Sequence, residues 1–323
     1  MIAYRCEFRR YRRPFQRPLC THHGSWTARE GILVRLTRDS GEVSFGEIAP
    51  IPWFGTETLE EAWSLCQALG PTVSPGAIAA IPETHPACQF GLESALLGLR
   101  SPLGKRPCCH LLPTGPAALS AWQAPVTAGV RTLKVKVGMA EPQDEIVWLQ
   151  TLARQLPEGV KLRLDANGGL SLEQAQQWLA MGDRLPNLEF LEQPLAPGQL
   201  DLMLALAAQF RTPLALDESV ATLAQLRDCH DRGWRGIVVI KPAIAGFPSQ
   251  VRQFCQQHAL DVVVSSALET VVGQQAGLAL AAEIGTPGRA VGYGIDHWFA
   301  NASETPWFFR PPFEDLWRHL PPS

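Results

Sequence analysis

The chain is expected to be an α/β protein in which a closed barrel of repeated strand–helix units follows a smaller N-terminal α+β capping domain. Three features carry this expectation. From Leu133 onward short apolar strands alternate with amphipathic helices, the first third runs strands and then helices, and a stretch rich in proline and small residues, Pro107 to Pro125, lies between. Of the 323 residues, 46% are hydrophobic and 18% charged, enough apolar material for two cores and too much for a disordered chain.

In the first lobe Gly31–Leu36 reads as an apolar strand and Val43–Glu47 as another, joined through the Asp39-Ser40-Gly41 turn. Helical patterning follows from Thr58 to Leu69, capped by Thr56 or Thr58, and again over Phe90–Leu99, ending before Ser101-Pro102. The second region then offers strands at Leu133–Val137, Leu162–Asp165, Leu188–Glu192, Leu214–Asp217, Ile237–Ile240 and Val262–Ser265. Helices such as Leu172–Met181, Leu200–Gln209 and Pro248–His258 fall between them, and so many consecutive units favour closure into a barrel. Residues 1–112 are thus assigned to the capping domain and 113–297 to the barrel, with the aromatic tail 298–323 packing back on the first lobe.

A formal net charge of −3 gives no polyelectrolyte signal and argues against nucleic acid as the main partner. Arg5, Arg9, Arg10, Arg12, Arg13 and Arg17 crowd together near the N-terminus, where a solvated strand and turn is the expectation. The eight cysteines contain no CxxC pair, and adjacent Cys108 and Cys109 suit neither an ordinary disulfide nor joint metal ligation. No signal-peptide pattern or bilayer-length apolar run is present, so a reduced cytoplasmic enzyme without a membrane partner is expected.

The strands of the second region end in polar residues that recur with the repeat. Lys136, Asp165, Glu192, Asp217, Lys241 and Ser265 are separated by 29, 27, 25, 24 and 24 residues. In a β/α barrel such positions converge at the C-terminal mouth. Two like unit charges about 4 Å apart repel by about 4 kcal/mol at an effective dielectric near 20, so Asp165, Glu192 and Asp217 together call for a cation. An all-carboxylate donor set suits Mg²⁺ or Mn²⁺; Zn²⁺ would recruit His or Cys.

In Lys134-Val135-Lys136-Val137 the strand period of two puts both lysines on one face and both valines on the other. The valines pack against helices, so the lysines point into the barrel, where an unpaired and functionless ammonium would be costly. Lys241 ends its own strand in the same way, on the opposite side of the ring. Neighbouring positive charge can lower a lysine pKa from about 10.4 towards about 7–8, which makes it a base at neutral pH. Basic lysines facing a metal that stabilises an enediolate are equipment for removing a proton next to a carboxylate; the enolase superfamily is the standing example.

Lys134-Val135-Lys136-Val137-Gly138, Asp165-Ala166-Asn167-Gly168, Glu192-Gln193-Pro194, Leu216-Asp217-Glu218-Ser219 and Ile240-Lys241-Pro242, in this order and spacing, resemble the muconate-lactonizing subgroup of the enolase superfamily. The resemblance implies a (β/α)7β TIM-like barrel with an N-terminal α+β capping domain. Within the subgroup, Ser265-Ser266-Ala267-Leu268-Glu269 is similar to the Ser-Ser-x-x-Glu segment of the o-succinylbenzoate synthase family, and the Asp-x-Asp motif usual in dipeptide epimerases is absent. Arg163 and Gly292-Tyr293-Gly294-Ile295-Asp296 also match that family's pattern.

Carried over, the resemblance implies Mg²⁺ (or Mn²⁺) on Asp165, Glu192 and Asp217, with Lys136 and Lys241 as the catalytic pair. Lys134, Asn167 and Glu218 would support them, Lys134 by lowering the pKa of its neighbour, while Arg163, Ser265 and Ser266 would bind a small-molecule carboxylate substrate. The Ser265-Ser266 turn would offer hydroxyl and backbone N–H donors to it, or else simply cap a helix. An N-acylamino-acid racemase or dipeptide epimerase is the alternative within the superfamily, and a non-catalytic scaffold using the arginine-rich strand the alternative outside it. His22 and His23 precede a strand and would belong to a lid or an exposed turn.

Overall fold

A computed structural model describes residues 3–21, 24–101, 106–294, 298–299 and 312–321; His22 and His23, Ile295 and Asp296 lie outside them. Strands β1 (Tyr4–Thr21), β2 (Gly24–Thr37), β3 (Val43–Ile48) and β4 (Thr72–Val73) form an antiparallel sheet in the order β3-β2-β1-β4. Helices Leu59–Leu69 and Pro86–Leu97 accompany this sheet. The first starts at Thr58, whose hydroxyl accepts from Glu61 N while Glu61 accepts from Thr58 N, so the reciprocal cap selects Thr58 over Thr56.

The arginine-rich strand departs from the solvated reading. Alternation along β1 turns Tyr11, Arg13 and Phe15 inward. Arg13 stacks 3.3 Å from the Phe299 ring centroid, and Arg9 donates to the carbonyls of Trp317 and Leu320 while lying 4.6 Å from the Trp317 ring. Outward-facing Arg12 pairs with exposed Glu30, and Arg10 with exposed Glu60. The charge therefore holds the chain's own C-terminal helix, Phe313–His319, whose Phe313 and Trp317 rings sit 6.1 and 5.9 Å from Phe45 of β3.

The second sheet is parallel, ordered β11-β10-β9-β8-β7-β6-β5. Its strands are β5 (His110–Leu111), β6 (Thr132–Lys136), β7 (Lys161–Asp165), β8 (Leu188–Glu192), β9 (Leu214–Leu216), β10 (Ile237–Ile240) and β11 (Val262–Val264). His110–Leu111, expected to close the capping domain at residue 112, instead form β5 of this barrel sheet. Val291 then bridges to Cys108 and Gly292 to Ser265, both in parallel sense, which closes the ring. Val135, Leu164, Leu191, Leu216, Val238 and Val264 pack outward against the helices, while Phe190, Ile237, Val239 and Val263 fill the barrel interior.

Carboxylates of the first lobe join the two regions at helix N-termini. Glu93 of the first lobe accepts from Ser249 N (2.8 Å) and Ser249 Oγ (2.7 Å), at the start of helix Pro248–Gln257. Glu47 of β3, fully buried, accepts from Thr270 N, Thr270 Oγ1 and Gly273 N, where helix Val271–Ile284 begins, and from the Tyr11 hydroxyl at 2.6 Å. Gly273 permits this approach: a Cβ there would stand 3.0 Å from Glu47 Oε2 and 2.8 Å from Glu269 Cγ. Glu47→Ala would take the acceptor from Thr270 N, Thr270 Oγ1 and Gly273 N, all buried, so we expect a loss of about 3–5 kcal/mol in urea unfolding. A loss below about 1 kcal/mol would show that the contact is not a structural joint.

Candidate active site

Period two decides which side chains enter the barrel. On β6 Leu133 and Val135 join the outer core and Lys134 and Lys136 turn inward; on β7 Leu162 and Leu164 go out and Arg163 and Asp165 in. The same alternation places Glu192 after Leu191, Lys241 after Ile240 and Ser265 after Val264. Lys134, Lys136, Arg163, Asp165, Asn167, Glu192, Asp217, Glu218, Lys241, Ser265 and Ser266 consequently line one cavity at the C-terminal ends of the strands.

Ammonium groups lie between the acids. Lys134 Nζ is 2.8 Å from Asp165 Oδ2 and 2.7 Å from Glu192 Oε1, and Lys241 pairs with Asp217. Among the described residues no three acidic, His or Cys side chains already close into a cage. Burial, reinforced by the charge of Asp165, pushes the Glu192 carboxyl up to about 8. Burial also opposes the charge on Lys134, but Asp165, Glu192 and Asp217 outweigh it and hold that lysine well above its usual range. Asp165 is likewise lowered, against burial, by Lys134 and Lys136. Lys134 is thus a fixed cation.

Lys136 is held differently. Its Nζ donates to Asn167 Oδ1 at 2.9 Å, and Asn167 Nδ2 donates to Glu218 Oε1 at 3.1 Å. Asn167 adopts φ 46°, a left-handed conformation that asparagine tolerates, and its N–H donates to Asp165 Oδ1. Burial, with the charge of Asp217, pushes Glu218 up to about 7, and its Oε2 is buried without a partner. Across the ring, four strand positions from β6, the Lys241 ammonium lies 4.6 Å from the Phe54 ring.

Two expectations change. The Ser265 and Ser266 N–H groups donate to the carbonyls of Ile240 (2.8 Å) and Gly292 (3.1 Å), and the Ser266 hydroxyl donates to Glu269 Oε1 at 3.0 Å. The barrel sheet takes both N–H groups and the turn itself takes the Ser266 hydroxyl, and helix Val271–Ile284 is capped by Thr270 instead. Arg163 faces the cavity but is committed to Glu189 (2.7 Å) and the Ala290 carbonyl (2.9 Å), with Nη2 buried and unpaired.

Other lining groups were not singled out from sequence. Trp26, Ile51, Trp53 and Phe54, all from the first lobe, form a wall over the barrel mouth. The exposed-looking Pro52-Trp53-Phe54-Gly55 between two regular elements was the available signal. Gln193, beside Glu192, accepts from Asp217 N (2.9 Å) and Ser219 N (3.2 Å) through Oε1, which aims the next strand's acid.

Comparison with known proteins gives the same picture. The model described as Enolase C-terminal domain-like matches residues 117–310, and MenC, N-terminal domain, matches residues 4–99. An o-succinylbenzoate synthase of Thermosynechococcus vestitus is 41% identical over 98% of this chain and 99% of its own. The chain belongs to the o-succinylbenzoate synthase family of the enolase superfamily. A family member from Vibrio cholerae is 29% identical over 92% of this chain and 91% of its own. The crystal structure of the o-succinylbenzoate synthase from Thermosynechococcus elongatus BP-1, with Mg in its active site, superposes with a TM-score of 0.90. It is 39% identical, covering 98% of this chain and 100% of that one. The L-Ala-D/L-Glu epimerase of Bacillus subtilis, 23% identical with a TM-score of 0.76 over 93% and 92% of the two chains, shares the fold alone.

Proposed function

We propose that this member of the o-succinylbenzoate synthase family is a hydro-lyase. It would remove water from 2-succinyl-6-hydroxy-2,4-cyclohexadiene-1-carboxylate in a syn sense, giving o-succinylbenzoate on the way to menaquinone or phylloquinone. The observation that carries this reading is the pairing of Lys136 and Lys241 on opposite walls of a cavity that also holds Asp165, Glu192 and Asp217. The family resemblance supplies the substrate.

The donor set fits a hard divalent cation: three buried carboxylates face the cavity, and burial, reinforced by the charge of Asp165, makes Glu192 hold a proton more tightly than an ordinary acid. Mg²⁺ on Asp165, Glu192 and Asp217 would supply fixed positive charge for the substrate carboxylate as a proton leaves its α-carbon. Lys136, oriented by Asn167 and through it by Glu218, takes that proton. The hydroxyl departs from the same face, so the proton on Lys136 can return to it, and water forms as the ring becomes aromatic. Lys241 opposes the charge that builds on the carboxylate from the other face. Lys134 tethers Asp165 and Glu192. Ser265 Oγ remains a donor to the substrate, and Arg163 supplies positive potential behind it.

Incubating the protein with the cyclohexadiene and Mg²⁺ should give a rising aromatic absorbance; its absence with folded, metal-loaded protein would overturn the proposal. Specificity is a second expectation. With Ser265-Ser266 where epimerases carry two acids, kcat/KM for dehydration should exceed that for dipeptide epimerisation by about 100-fold or more. Comparable epimerase turnover would mean that this segment does not select the substrate.

A further inference from the structure

The cavity has walls from both regions of the molecule, and one side chain that does not line it is bound to both. Arg29 of β2 is 2% exposed. Its Nε donates to the Ala267 carbonyl at 3.0 Å, in the turn that follows β11 and carries Ser265 and Ser266. Nη1 donates to the Pro50 carbonyl at 2.8 Å and to its neighbour Glu30 at 2.9 Å, and Nη2 to the Ala49 carbonyl. Ala49 and Pro50 lead directly into Ile51, Trp53 and Phe54 of the cavity wall. The guanidinium also lies 5.4 Å from the ring of Trp26, another wall residue. A buried cation that, among the described residues, donates only to carbonyls is an expensive way to strengthen a lobe, since apolar packing would do that without the desolvation.

We propose that Arg29 is a positioning residue for substrate specificity, a planar fork that fixes the capping wall at Ala49–Phe54 against the barrel turn at Ser265–Ala267. This rests on the dehydratase reading. The lysines and carboxylates stand on barrel strands that Arg29 does not touch, so the fork governs how the substrate is gripped, not the proton transfer. Lysine cannot replace it, because one ammonium cannot point at Ala49, Pro50 and Ala267 from a planar frame.

The test uses Arg29→Lys and Arg29→Ala in the full chain, loaded with Mg²⁺. Wild-type protein is assayed first on the cyclohexadiene; if it is inactive, the dehydratase reading fails and not this inference. With active wild type, Arg29→Lys should raise KM about 10-fold or more while kcat stays within about threefold, because what is lost is ground-state grip shared with the transition state. Added guanidinium should restore much of the KM in Arg29→Ala, a rescue that a general loss of stability would not show. An unchanged KM in Arg29→Lys, or a fall in kcat with KM intact, would overturn the proposal. Failure of both variants to fold would overturn it too, since Arg29 would then serve the fold rather than the cavity.

Discussion

Lys136→Ala is expected to lose dehydration and α-proton exchange together. The two inward lysines of β6 look alike in sequence, but their surroundings separate them. Lys134 is clamped between Asp165 and Glu192 and held well above its usual pKa range, so it cannot serve as a base near neutrality. Lys241 is paired with Asp217. Lys136 donates to the amide oxygen of Asn167, which orients its ammonium, and makes no ion pair within 4 Å among the described residues. Because proton and hydroxyl leave from one face, removing Lys136 takes away base and acid at once, and each role is worth about 10²–10⁴-fold. Lys241→Ala should also be severely impaired, but through lost charge stabilisation, and it should keep some α-proton exchange. A racemase would instead use one lysine for each face. Turnover and solvent deuterium exchange, measured in both variants after metal binding is verified, decide the matter. Dehydration near the wild-type rate in Lys136→Ala would refute the assignment.

Removal of divalent metal should abolish turnover while leaving the protein folded, and either Mg²⁺ or Mn²⁺ should restore it. The two halves of this expectation have separate causes. Activity depends on concentrated positive charge opposite a carboxylate that gains a second negative charge, and a metal supplies several kcal/mol of such stabilisation. Folding should survive because Lys134 and Lys241 already offset part of the charge on Asp165, Glu192 and Asp217. Glu192→Gln and Asp217→Asn should mimic chelation in the activity assay and weaken metal binding in a titration. Full activity after exhaustive chelation would remove the basis for the three-acid site, and unfolding on chelation would mean that the lysines do not offset the charge.

Much of the barrel was legible because its information is local. Alternation within one strand separates Lys134 and Lys136 from Val135, and a repeat of 24 to 29 residues carries the same inward position from strand to strand. Asp165, Glu192, Asp217 and Lys241 could therefore be placed in one ring without knowing any contact between them. What those side chains do to one another was not local. Lys134 became a fixed cation only when Glu192, 58 residues away, came within 2.7 Å. The backbone N–H groups of Ser265 and Ser266 were consumed by the carbonyls of Ile240 and Gly292 in the barrel sheet, and the arginines of β1 found aromatic and carbonyl partners some 300 residues along the chain. The capping wall, its fork at Arg29 and the carboxylate joint at Glu47 likewise join segments about 220–240 residues apart. Strand period and repeat spacing are written in neighbouring residues, so the sequence by itself determined which side chains enter the barrel. Which of them are neutralised, free to donate or clasped from the other lobe depends on distances that only the folded chain creates, and burial makes each of those partnerships decisive for charge and hydrogen bonding.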